Sequence, residues 1–232
     1  MIRVGDARGF IVATEQGERF IITAAHCLPH LPPAHPASYL EERTYAKLVG
    51  RLGAEPTVWA ECVFVDPVAD LAVLCSPDDQ ELYGEAEEYD ALVESARPLP
   101  VGGLEFTREP IRLEDQATIL GPPQADSDAW LLSLEGQWFS CRVRSRGRAL
   151  GIYQAVEPIR AGMSGSPIVT SSGAALGVVS VSASGSFDDR EGGPNPELAA
   201  LLPGWFWGHV TRAARPPRPR RPGRSRAPSR GA

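Results

Sequence analysis

No apolar run in this 232-residue chain approaches the ~20 residues that cross a bilayer as a helix. The opening Met1-Ile2-Arg3-Val4-Gly5-Asp6 has neither the basic start nor the long apolar segment of a secretory leader, so the sequence reads as soluble, cytoplasmic and without a membrane partner. The four cysteines, Cys27, Cys62, Cys75 and Cys141, are far apart and form no Cys-x-x-Cys pair, which argues against a zinc site. Three of them lie in apolar strand-like runs, where a reduced thiol behaves as a small hydrophobe, and free thiols fit a reducing compartment. Lysine is almost missing, outnumbered by arginine 22 to one. Aromatics are modest at 7%, whereas Gly 23 and Pro 22 favour many short strands joined by turns over a helical bundle.

The formal net charge of −6 hides an asymmetry. Residues 212–232 hold eight arginines and no acid, which leaves 15 basic against 29 acidic residues in the body of the chain. This Pro/Arg-rich tail has too little apolar surface to fold and reads as disordered. Such a tail can bind nucleic acid or an acidic partner, or lie back over the acidic body. Arginine dominates the basic residues everywhere, so an incidental extension is the simpler reading.

Apolar runs bounded by turn residues predict strands at 9–14, 19–23, 45–50, 58–65 and 71–74. Residues 77–100 are acidic, with Leu82, Leu92 and Val93 among the carboxylates, and read as a surface helix and linker. Strands return at 117–120, 129–134, 138–143, 151–155, 166–170 and 175–182, followed by a glycine-rich loop to Gly193, a short helix over 196–202 and an aromatic closing segment over 205–210. Two runs of about six strands with little helix predict an all-β protein of paired barrels, with a site in the cleft between them. The expected division is 1–100, 101–211 and the tail 212–232.

Three stretches carry chemistry. Ala161-Gly162-Met163-Ser164-Gly165-Ser166-Pro167 is a tight turn that can expose a hydroxyl and aim backbone N–H groups at one point, as acyl transfer requires. His26 stands just past an apolar strand, in Thr23-Ala24-Ala25-His26-Cys27. Asp70 directly precedes the apolar run Leu71-Ala72-Val73-Leu74, and Asp66 is a nearby rival carboxylate. Each alone has an ordinary structural explanation as turn residue, cap or satisfied histidine. His30 and His35, in a proline-rich loop, could join His26 on a metal, but no carboxylate or cysteine stands beside them.

Together the three stretches resemble the motifs of trypsin-like, chymotrypsin-fold serine proteases, in that family's order His, Asp, Ser and with separations of 44 and 94 residues. The resemblance covers roughly residues 9–211. It implies two six-stranded antiparallel Greek-key barrels, a Ser164–His26–Asp70 triad, and an oxyanion hole from the N–H groups of Gly162 and Ser164. It implies no metal or organic cofactor. Pro158 would stand at the base of the substrate pocket, with Glu157 and Arg160 adjacent, and Ser180, Val181 and Ser182 would form its wall and the strand that pairs with substrate. Ser182 replaces a common glycine there, which implies a small or medium uncharged side chain before the scissile bond.

Departures from the family pattern are equally informative. Animal digestive members carry an aspartate where this chain has Met163, so activation by a freshly cut N-terminus is not expected. Cys27 lacks the usual upstream disulfide partner. Few residues precede the strand at Gly9-Phe10, so the opening strand of the first barrel should be short or missing. These traits resemble the bacterial intracellular or stress-type branch. The expected function is a serine endopeptidase on protein or peptide substrates; the alternatives are a catalytically silent protease-like protein-binding module and a nucleic-acid-associated protein acting through its tail.

Overall fold

Short apolar segments alternating with turns give a mostly antiparallel β protein in the computed structural model, which describes residues 1–33, 40–104, 110–112, 118–120, 126–180 and 190–212. The first half contributes β1 (Ile2–Val4), β2 (Ala7–Ala13), β3 (Arg19–Thr23), a single helical turn α1 (Leu40–Arg43), β4 (Thr44–Arg51), β5 (Val58–Asp66) and β6 (Leu71–Cys75). The six strands close into a barrel in the order β1-β2-β3-β6-β5-β4. The opening strand is short but present, and by pairing with both β2 and β4 it seals the barrel. Leu71, Ala72, Val73 and Leu74 of β6 are wholly buried, as an uninterrupted apolar run predicts.

Within the acidic stretch, α2 (Tyr83–Glu94) buries Ala86, Tyr89, Leu92 and Val93, a helical spacing that turns one stripe to the barrel and leaves the carboxylates outside. The Tyr89 hydroxyl donates to the Leu74 carbonyl at 3.1 Å, which joins helix to strand. The strand expected at 117–120 pairs instead in a separate hairpin of β7 (Pro110–Arg112) and β8 (Thr118–Leu120).

The second half contributes β9 (Asp126–Leu132), β10 (Trp138–Arg146), β11 (Ala149–Tyr153), β12 (Pro167–Thr170), β13 (Ala175–Val178) and β14 (Gly192–Pro196), in the order β13-β12-β9-β10-β11-β14. A bridge between Gly177 and Glu197 brings the two ends together, so this barrel is nearly closed. Counted from the first strand of each, both barrels run 1-2-3-6-5-4 around their circumference, the Greek-key arrangement. The strand β14 (Gly192–Pro196) corrects the sequence reading, which ends a glycine-rich loop at Gly193 and begins a helix at Pro196. Its Gly-Gly-Pro-Asn-Pro composition has no strand preference. Pairing with β11 and a hydrogen bond from buried Asn195 Nδ2 to the Leu150 carbonyl at 3.1 Å hold it in place.

The two cores are distinct. The second is built from Leu131, Phe139, Val143, Ile152, Met163 and their neighbours. The short helices α3 (Leu198–Leu201) and α4 (Gly204–Trp207) return to the first barrel, where Leu198, Leu201, Phe206 and Val210 join its core and Phe206 meets Phe20 edge-on at 5.0 Å. Among the described residues no helix is long and apolar enough to cross a membrane.

Candidate active site

The apolar strand β3 ends at Thr23, and the chain then makes one 3-10 turn, Ala25–Cys27, that buries Ala25 and turns His26 outward. Because β6 runs antiparallel to β3 with Thr23 opposite Ala72, Asp70 emerges beside that turn. Asp70 has φ +60°, a left-handed conformation uncommon outside glycine, and this bend aims its carboxylate back at the histidine. The His26 main-chain N–H donates to Asp70 Oδ1 at 2.9 Å and the ring Nδ1–H to Oδ2 at 2.7 Å. A carboxylate only accepts, so the proton sits on Nδ1 and Nε2 is left free to take another. The rival Asp66 is occupied elsewhere, its Oδ1 accepting the Val68 and Ala69 N–H groups in the turn before Asp70.

The hydrogen bond to Asp70, with a smaller contribution from the Cys27 thiol, holds the His26 imidazolium up to about 10 against the opposing effect of burial. Burial alone would raise the Asp70 carboxyl; the hydrogen bonds from the His26 ring, the Ser180 hydroxyl and the His26 N–H outweigh it and keep the group below its usual range.

Ser164 stands on a turn between Gly162 at φ +87° and Gly165 at φ +79°. The turn is tied internally by Met163 N–H to the Arg160 carbonyl (3.1 Å) and Ser166 N–H to the Met163 carbonyl (3.0 Å), and to β13's continuation by Gly165 N–H to the Val179 carbonyl (2.8 Å). Among the described residues the N–H groups of Gly162 and Ser164 meet no acceptor. The turn leans on the first barrel: Arg8 N–H donates to the Ser164 carbonyl at 3.0 Å, and a Cβ on Gly165 would lie 1.7 Å from the Arg8 carbonyl oxygen. That oxygen accepts the Thr23 hydroxyl at 2.7 Å, three residues before His26. Serine turn and histidine turn thus share one anchor. Ser164 Oγ itself is not hydrogen-bonded to His26 Nε2, whose neighbour is Cys27 Sγ at 3.9 Å.

Ser180, expected along the substrate pocket, donates its hydroxyl to Asp70 Oδ2 across the two barrels, and its N–H to buried Asn195 Oδ1 at 2.8 Å. Pro158 lines a cavity of about 260 Å³ together with Glu157, Arg160, Met163, Leu134 and Glu135. Val181 and Ser182 lie outside the described residues, as do His35 and the tail from residue 213. His30 packs against the Tyr45 ring at 4.9 Å, away from His26. Among the described residues no three His, Cys, Asp or Glu side chains are grouped so as to hold a metal ion. The cysteines are free, and burial pushes the thiols up to about 11 at Cys62 and about 12 at Cys75 and Cys141, far from reactive. One residue escapes sequence reasoning altogether: Arg8, a lone arginine entering an apolar strand, turns out to touch the serine turn.

The model of the trypsin-like peptidase domain matches residues 7–178. No curated protein matches the chain. Among solved structures, the Rv3671c protease from M. tuberculosis in its active form is 20% identical, covering 92% of this chain and 82% of that one with a TM-score of 0.46. The inactive form of the Rv3671c protease is 18% identical over 86% of this chain and 83% of that one, TM-score 0.46. The MamO protease domain from Magnetospirillum magneticum (apo form) is 14% identical over 84% and 86%, TM-score 0.42.

Proposed function

The chain belongs to the trypsin-like peptidase family, and from that premise we propose that it is a serine endopeptidase in which Ser164 is the nucleophile, His26 the general base and Asp70 its orienting acid. The observation that carries the reading is the double hydrogen bond from His26 to Asp70, reinforced on the same carboxylate by Ser180 from the other barrel. It fixes the tautomer that leaves Nε2 unprotonated when the ring is neutral, the form a general base must have.

A hydroxyl is a weak nucleophile at neutral pH. His26 Nε2 takes the Ser164 proton as Oγ attacks the amide carbonyl, and Asp70 stabilises the imidazolium so formed. The oxygen that gains charge is received by the N–H groups of Gly162 and Ser164, both without an acceptor among the described residues. His26 then delivers its proton to the leaving amine, which departs and leaves an acyl group on Ser164. Water, deprotonated by the same imidazole, attacks the acyl carbon and releases the second product, restoring the hydroxyl.

The test is stoichiometric labelling by a fluorophosphonate, which reports an activated serine. The wild type should label once, and Ser164→Ala and His26→Ala should not. A folded wild type that does not label would leave the silent binding module as the better account.

A further inference from the structure

The nucleophile turn needs something to hold it, because Met163 supplies no charge for the purpose. Met163 is buried, and its Sδ accepts the Arg160 N–H at 3.3 Å, so the 160–163 segment is closed on itself. The side chain beside it is Leu134, half-exposed at 42%, which closes the space over Gly162: a Cβ there would sit 3.3 Å from Leu134 Cδ2. Leu134 belongs to the turn after β9, and that turn is gripped from the other barrel. Arg8 Nη1 donates to the carbonyls of Leu132 (3.0 Å) and Ser133 (2.9 Å), and Nη2 to that of Leu134 (3.2 Å).

A buried guanidinium in an otherwise apolar strand is an expensive choice. Arg8 is 5% exposed, its flanks are Ala7 and Gly9, and the nearest acid, Glu135, is exposed and acts on it only at a distance. An isosteric apolar side chain would fill the space without desolvating a charge. What an apolar chain cannot do is bind three successive carbonyls with a planar fork. The same residue holds the serine turn with its main chain, donating to the Ser164 carbonyl and meeting Gly165 with its own. The backbone of Arg8 therefore holds the 162–165 turn directly, and its side chain holds the 132–134 turn that lies beside Gly162.

We infer that Arg8 is a positioning residue of the endopeptidase proposed above, an inter-barrel latch that keeps the Gly162 and Ser164 N–H groups aimed at the reacting oxygen by clamping the 132–134 turn over Gly162. Arg8 touches no substrate atom. The inference rests on the endopeptidase reading, and its consequence is separable from it. Loss of the latch slows acylation and leaves the nucleophile in place.

The experiment is pre-steady-state acylation by p-nitrophenyl acetate, in which burst amplitude counts competent Ser164 and the burst rate reports stabilisation of the oxyanion. Arg8→Ala should keep the amplitude and lose about 10- to 100-fold in the rate constant, as misplaced or lost oxyanion donors do. Millimolar guanidinium should restore part of that loss, and Arg8→Lys, which has the charge without the fork, should fall between. Leu134→Ala, which removes the side chain over Gly162 and leaves Arg8 intact, should lower the same rate constant and not the amplitude. If Arg8→Ala does not fold, Arg8→Lys and Leu134→Ala carry the decision by the same two readouts. Acylation rates within about twofold of wild type in the folded variants, or a guanidinium effect equal in wild type and Arg8→Ala, would overturn the latch. A wild type with no burst overturns the endopeptidase reading itself, an outcome that Ser164→Ala, also without a burst, calibrates.

Discussion

The two barrels share one strand order yet hold their parts of the site in different ways. In the first, His26 and Asp70 are delivered by adjacent strands β3 and β6 and bond directly to each other, so the pair is complete within one closed sheet. In the second, Ser164 stands on a turn that its own barrel only partly supports, with Arg8 and Gly165 meeting at the seam. The lesson is that the His26–Asp70 pair is a property of one barrel and the position of Ser164 is a property of two. Ser180 is the reverse contact, a hydroxyl of the second barrel that adds a further hydrogen bond to the carboxylate of the first.

The comparison is broken most severely at the seam. Gly165→Ala sets a Cβ 1.7 Å from the Arg8 oxygen at a backbone angle that L-residues avoid; we expect a loss of about 3 kcal/mol or more by chemical denaturation, together with the serine's reactivity. Within the first barrel, Asp70→Asn should leave the fold intact and lower kcat by about 10⁴-fold, through the wrong imidazole tautomer.

The same pair makes a pH prediction with a definite sign. The proton on His26 is held up to about 10 against an ordinary 6.5. Its stabilisation of the fold is therefore complete below 6.5 and lost as pH rises through that window, while the neutral base required for attack appears. Acylation should climb with pH on an alkaline-shifted limb as the melting temperature declines, and Asp70→Asn should move the limb back toward 6.5. A limb already complete near neutrality in the wild type would show that Asp70 does not hold the His26 proton so high. Ser180→Ala removes one charge-assisted hydrogen bond and should lower kcat/KM about tenfold with little change in stability. Smallest of all, Met163→Leu keeps the packing and gives up only the weak thioether acceptor for the Arg160 N–H, and should change stability by less than about 1.5 kcal/mol and acylation by less than a few-fold.

How much of this was legible in the sequence follows the same division. Strands β3 and β6 are apolar runs, and the residues at their ends fall into place once the runs are recognised; His26 and Asp70 are readable for that reason, Asp70 being preferred to Asp66 because it alone abuts the apolar run. The glycine-flanked serine was visible as a turn, but what holds it was not. Arg8 carries no local signal, since its role depends on carbonyls more than 120 residues away. β14 was hidden because Gly192, Gly193, Pro194 and Pro196 have no strand preference, and only its partners in β11 give it that conformation. β1 was in doubt because three residues are too few for any periodicity. Features written in local pattern were recoverable, and features made by pairing across the molecule were not.

The central claim is peptide-bond hydrolysis by Ser164, and the most direct measurement is digestion of an unfolded protein by the purified full chain, with products read by mass spectrometry. Wild type should generate internal fragments, and Ser164→Ala, equally folded, should generate none. Fragments appearing at the same rate with Ser164→Ala, or a wild type that labels fully with fluorophosphonate yet cleaves no unfolded protein, would contradict it.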